Sequence, residues 1–202
     1  LLARAFLFFA YPSQMSGDNV WVADAVSGPT SLSNIAAGQM DAVPQLSELF
    51  WGLIPGSVGE TSKFCILIGA VILLWSGIGS FRIMFSTLVG GVLMAWIGGL
   101  TGSTDASVLQ HILSGGFLFG LVFMATDPVT SAQTQTGKLI FGFLLGMMAI
   151  LIRIYNPAYP EGMMLAILLM NTFAPLIDYL VVGRNKARRR KRLALAVKKQ
   201  NA

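Results

Sequence analysis

Residues 138–155 read KLIFGFLLGMMAILIRIY, with a cation near each end and no charge between. A hydrocarbon layer about 30 Å thick is crossed by roughly 20 apolar residues in helical form. The stretch therefore predicts a membrane-spanning helix. Gly142 and Gly146 stand four residues apart within it, the small-xxx-small spacing that lets helix backbones approach closely. Four further apolar stretches flank it, at 64–79, 82–99, 108–125 and 163–182, each limited by Gly, Pro, Asp or Asn. The Ser-Gly-Ile-Gly-Ser break at 76–80, followed by Arg82, divides what would otherwise be one overlong run. Residues 1–11 are expected to be the end of a sixth span.

Composition points the same way. Hydrophobic residues make up 54% of the chain and charged residues 11%, a balance that fits a bilayer and excludes a water-soluble enzyme domain of this size. The expected fold class is an all-α polytopic membrane protein with about five full transmembrane helices plus the end of a sixth. Its expected divisions are 1–11 as a helix end, 12–63 as an outer loop, 64–183 as a five-helix membrane domain and 184–202 as a basic tail. The chain opens inside an apolar run with no initiating Met, basic n-region or cleavage site, so we expect upstream residues rather than a signal peptide.

Orientation follows from the cations. Arg184, Lys186, Arg188, Arg189, Arg190, Lys191, Arg192, Lys198 and Lys199 all follow the last apolar stretch, and the positive-inside bias keeps such a segment cytoplasmic. Counting back, Arg82 and Lys138 fall near inner turns, while 101–107 and 156–161 fall outside. Segment 12–62, with Asp18, Asp24, Asp41, Glu48 and Glu60, is then outside as well, which in a bacterial inner membrane means the periplasm. Directly after a span, the basic tail reads as an anchor facing anionic lipid, not as a nucleic-acid site.

Motifs for soluble chemistry are missing. No catalytic triad, zinc motif, P-loop or dinucleotide glycine signature can be assembled. Cys65 has no partner in the sequence and reads as a packed small hydrophobe. His111 reads as an interfacial or packed hydrogen-bonding residue, and the ten Met residues read as packing. Arg153 and Glu161 flank the 156–160 turn, where an ion pair is the simplest account. Glu60 can either start a helix or contact a neighbouring site.

Two acidic residues lie near the inner ends of spans, Asp127 and Asp178. A carboxylate near hydrocarbon is a functional candidate by default, and hard cations favour oxygen ligands. The structural alternatives stay open: Thr126-Asp127-Pro128 can cap or turn a helix, and Asp178 can pair with a cation such as Arg184. A third candidate region is the loop Asp24-Ala25-Val26-Ser27-Gly28-Pro29-Thr30-Ser31-Leu32-Ser33. Gly28 and Pro29 hold it out of regular structure. Thr30 offers an accessible hydroxyl with no adjacent base, so it is no activated nucleophile and by itself reads as a helix cap or turn.

That loop resembles a flavinylation sequence, Asp-x-x-Ser-Gly-x-Thr, with Pro29 where Ala is usual. Three more stretches carry the same resemblance: IPGSVGE at 54–60, FMATDPV at 123–129 and NPAYPEGMMLAIL at 156–168. Together they are similar to the family of flavin-carrying membrane subunits found in sodium-translocating NADH:quinone oxidoreductases and in Rnf complexes. The 156–164 run looks more like the quinone reductase branch. The resemblance implies that FMN is ester-linked through its phosphate to Thr30, with Asp24, Ser27 and Gly28 as the rest of the modification motif. It implies electron transfer toward riboflavin and quinone, and sodium uptake at Asp127 and Asp178. It also implies a half of an internal-repeat, transporter-like fold, and as partners the other subunits of a respiratory complex, a flavin transferase, Na+, quinone and the lipid bilayer. The alternatives are an Rnf-type subunit of a ferredoxin:NAD+ oxidoreductase pump and, in another class, a channel or transporter without a redox group.

Overall fold

The computed structural model describes residues 1–11, 30–54, 56, 57, 59–156 and 161–200, with side chains as far as residue 194. Asp24, Ser27 and Gly28 lie outside the described residues. The described residues form helices and turns with no strand. The helices are α1 (Leu2–Ala10), α2 (Ser31–Ala36), α3 (Leu46–Trp51), α4 (Lys63–Trp75), α5 (Phe81–Leu100), α6 (Val108–Leu113), α7 (Phe117–Phe119), α8 (Gln135–Tyr155) and α9 (Met163–Gln200). The fold class is all-helical and polytopic, as the apolar runs predict.

Helices α5, α8 and the Met163–Ala194 part of α9 are long and apolar enough to cross a membrane. The other two predicted spans differ in form. Helix α4 is apolar but has 13 residues, because Ser76 and Gly77 end it; Gly77 sits at φ +73°. The 108–125 stretch is broken. Helix α6 stops at Leu113, a turn through Ser114, Gly115 and Gly116 follows, and α7 then runs directly into one π-helical turn, Gly120–Met124. Gly115 has φ +62°, a conformation that residues with a Cβ avoid.

The bundle is built on the seam between α5 and α8. A Cβ at Gly90 would collide with the Phe143 carbonyl oxygen, and one at Gly146 would collide with that of Thr87. Only hydrogen side chains allow this approach, so the small-xxx-small pair in the opening stretch is a backbone-to-backbone contact. The two helices run parallel: Arg82 at the start of α5 donates to the Gln135 side chain at the start of α8, and Gly98 near the end of α5 packs on Ile154. Helix α9 returns antiparallel, with Gly162 against the Ala149 carbonyl at its start and Asp178 bonded to Thr134 near the other end. Phe117, Phe141, Leu145, Ile150 and Ile167 are fully enclosed between these elements. Trp75, Phe81, Trp96, Leu176 and Tyr179 project outward, as expected of a lipid-facing surface.

Helix α9 continues without interruption past residue 183, through the basic segment to Gln200. The expected tail is therefore helical, since it is rich in Arg, Lys, Ala and Leu, which are good helix formers, and contains no Pro.

Candidate functional site

Breaking a helix inside a membrane domain frees carbonyls that must be satisfied locally. Here two buried cations supply the donors. Arg153, 4% exposed, donates from Nη1 to the His111 carbonyl and from Nη2 to the Glu161 carbonyl at 3.5 Å. Lys63, 1% exposed, donates from Nζ to the Gly115 carbonyl at 3.0 Å and to the Glu60 carbonyl at 2.5 Å. Positive charge at the carbonyl end of α6 is also favoured by the helix dipole.

Two carboxylates face the same break. A Cβ at Gly116 would meet Glu60 Oε2 at 2.9 Å and Glu161 Oε1 at 3.0 Å. Arg4 reaches Glu161 Oε2 at 3.8 Å, bringing α1 to this cluster. Burial first, and repulsion from Glu161 second, push the Glu60 carboxyl above its usual range, with Arg4 and Lys63 opposing.

Thr30 sits over this end of the bundle. It is exposed and is the N-cap of α2, its Oγ1 accepting from the Ser33 N–H at 3.3 Å, so the turn-or-cap reading of its local conformation holds. The Ser33 hydroxyl donates back to the Thr30 carbonyl at 2.7 Å. Leu32, 5% exposed, anchors α2 against Gly115, and Asn34 ties it to the Ala42 carbonyl at 3.0 Å. Under α2 lies a cavity of about 190 Å³, with Leu32, Ile35 and Ala36 forming one wall. Thr104, His111 and Arg153 form another. His111 is 1% exposed; its Nε2 bonds Thr104 Oγ1 at 3.0 Å, while its Nδ1 is buried without a hydrogen-bond partner among the described residues. That histidine is the packed, hydrogen-bonding residue its position suggested.

Asp127 and Asp178 lie together at the opposite end. Asp178 accepts from the backbone N–H groups of Gln133 at 2.6 Å and Thr134 at 3.0 Å, and from the Thr134 hydroxyl at 2.6 Å. It thus closes the start of α8, and its hydrogen-bond donors come from that turn. Asp127 accepts from the Val129 N–H at 3.2 Å and the Thr130 hydroxyl at 2.7 Å. The Thr130 bond, then that of Val129, holds its carboxyl below the usual range. Gln133 links the two turns, donating to the Pro128 carbonyl at 2.6 Å. Among the described residues no three His, Cys, Asp or Glu side chains gather as a metal group.

Sequence reasoning brought Thr30, Asp127 and Asp178 forward, and missed that Lys63, His111 and Arg153 converge on the 114–116 turn. The Gly115-Gly116 pair is the available signal, since consecutive glycines fit a turn as readily as close packing.

Broken and short helices around a charged turn, set among helices long and apolar enough to cross a membrane, fit a polytopic integral membrane protein. The chain belongs to the NQR2, RnfD, RnfE family, which it matches over residues 1–187. It is 53% identical over 95% of its length to the B subunit of the Na(+)-translocating NADH-quinone reductase of Chromohalobacter salexigens, covering 49% of that protein. Its counterpart in Pseudomonas paraeruginosa is 49% identical over 94% of the chain, and that in Klebsiella pneumoniae 48% over 95%. The chain spans about half the length of these curated relatives.

Proposed function

We propose that this chain is the C-terminal half of the membrane subunit of a redox-driven sodium pump, carrying FMN esterified to Thr30 and passing electrons toward quinone. The observation that carries the reading is an exposed Thr30 hydroxyl, in a Ser27-Gly28-Pro29-Thr30 sequence, at the bundle end opposite the basic helix. The positive-inside bias then puts α9's cationic end in the cytoplasm and Thr30 in the periplasm. The relatives at 48–53% identity are quinone reductase subunits by name, which favours that reading over the Rnf one.

The residues suit a flavin. Thr30 is exposed, and a cavity lined in part by Leu32, Thr104, His111 and Arg153 begins two residues along the chain from it. FMN supplies the electron-carrying chemistry, while the protein orients it and sets its surroundings. Attachment joins the flavin phosphate to Thr30 Oγ1 with net loss of one water, through a dedicated flavin transferase.

The test is the mass of the Thr30 peptide from the assembled complex, made in cells that also make the transferase. The expected mass is the peptide plus one FMN minus one water, abolished by Thr30→Ala. An unmodified wild-type peptide would leave the channel or transporter reading in its place.

Sodium uptake belongs to the other end. Asp178 accepts three bonds of about four that a carboxylate can take, which leaves room for a cation. Asp127→Ala or Asp178→Ala should raise the sodium concentration giving half-maximal turnover while flavin attachment persists. Unchanged sodium dependence in both variants would return the two residues to a capping role.

A further inference from the structure

Helices α5 and α8 leave a groove along the outer side of their seam, about 370 Å³ in volume. Phe85 and Val89 of α5 line it together with Leu139, Ile140 and Leu144 of α8. Ser86, the polar residue of that lining, has its hydroxyl spent on the Arg82 carbonyl at 2.6 Å. We infer that this groove holds an anionic phospholipid, one acyl chain lying between the two helices and the phosphate meeting Arg82 at the mouth. The positive-inside bias makes the leaflet concerned the cytoplasmic one. Nothing in this inference depends on the flavin reading of Thr30.

Spacing places the cation. Residues three, four and seven apart share a helix face, so Arg82 heads the row that continues through Phe85, Ser86 and Val89. Thr136 heads the matching row of α8, through 139, 140 and 143. Side chains on a helix tilt toward its N-terminus. The exposed Arg82 therefore extends away from the hydrocarbon toward the headgroup layer, as long basic side chains at span ends do. It donates to the Gln135 side chain, and a guanidinium has further donors to give. From Arg82 to Val89 the helix rises about 10 Å, some two thirds of the roughly 15 Å that one leaflet contributes to the hydrocarbon layer. That length suits a chain of one leaflet and is too short to seat a spanning helix from a neighbour.

Charge selects the headgroup. Ser80, the N-cap of α5, makes no side-chain bond to the first turn, so amides there point out toward the mouth with the positive end of the helix dipole. The corresponding amides before α8 are taken by Asp178, which leaves Arg82 and the start of α5 as the phosphate's donors. The cationic extension of α9 leaves the bundle at this same end, and a run of cations beside a bilayer gathers anionic lipid.

The test compares two lipids on the assembled complex in phosphatidylcholine vesicles. Either photoactivatable phosphatidylglycerol or photoactivatable phosphatidylcholine is included as a minor component, and acyl-chain adducts are mapped by mass spectrometry. Leu169 and Phe173, which face outward on α9, are the reference. Adducts at Val89, Ile140 and Leu144 should be several-fold more abundant with phosphatidylglycerol, with no lipid preference at the reference positions. Arg82→Gln should abolish the preference, whereas Gln135→Ala, which removes the partner of Arg82 but keeps its charge, should retain it. Equal labelling of the wild-type groove by the two lipids would overturn the proposal, whether or not Arg82→Gln assembles. A preference that survives Arg82→Gln would overturn it too, as would its loss in Gln135→Ala. A groove unlabelled by either lipid while Leu169 and Phe173 react would mean that a neighbouring protein covers it, and would also overturn the proposal.

Discussion

The two ends of the bundle use charged side chains in opposite ways. At the Thr30 end, Lys63 and Arg153 are buried and donate to carbonyls released by the break between α6 and α7. At the other end, Asp127 and Asp178 accept N–H and hydroxyl donors at turns that begin the next helix. Cations meet carbonyl ends and carboxylates meet amide ends, as helix dipoles require. The difference lies in burial. One end encloses its charges within the fold, whereas the other keeps them partly open, where an ion from solution can compete for the same oxygens.

The comparison is tested most severely at Arg153. Arg153→Met keeps most of the volume but removes the donors to the His111 and Glu161 carbonyls, and should cost roughly 3 kcal/mol, the upper range for a charged hydrogen bond. Thermal unfolding of the purified complex in detergent, followed by loss of this subunit's fold, measures it. Next in size is Asp178→Ala, which removes the acceptor for Gln133 and Thr134 and should cost about 1 kcal/mol, as loss of a helix cap does. If the two losses came out equal, burial would not be what separates the ends.

Titration offers a finer contrast. The Glu60 carboxyl holds its proton more tightly in the fold than in the open chain, so its favourable contribution exists at acid pH and fades as pH rises through the raised value. Glu60→Gln should therefore raise the unfolding midpoint at neutral pH and change little below the ordinary value of 4.5. Asp127 has the opposite sign. Its lowered value means a contribution present above 3.8 and lost on further acidification. Asp127→Asn should lower the neutral-pH midpoint slightly, the smallest effect of the four, because this carboxylate is well solvated and its bonds are local.

Much of this was legible in the sequence because local composition determines it. The long apolar runs, the 76–80 break between α4 and α5, and the exposed turn at Thr30 all follow from residues adjacent in the chain. The break within 108–125 was harder, since Gly115-Gly116 serves close packing as readily as a turn, and nothing nearby distinguishes the two. What distinguishes them is Lys63, 52 residues away, and Arg153, 42 residues from His111. An ion pair of Arg153 with Glu161 was the simple local expectation. The guanidinium reaches the Glu161 backbone carbonyl and that of His111, and the Glu161 carboxylate, which also faces Gly116 and Arg4, attracts it electrostatically. The continuation of α9 past residue 183 was obscured by treating charge as an end to structure, when it ends only the lipid-compatible part.

That continuation gives the molecule a handle. At 1.5 Å per residue α9 is roughly 57 Å long, about twice the depth of a hydrocarbon layer. Its cationic half stands clear of the bundle on the same rod that bears Asp178. A neighbouring subunit or lipid headgroup that grips the protruding end would therefore act with leverage on the joint between α9 and the start of α8. The torque needs no separate linkage, because one unbroken spine transmits it.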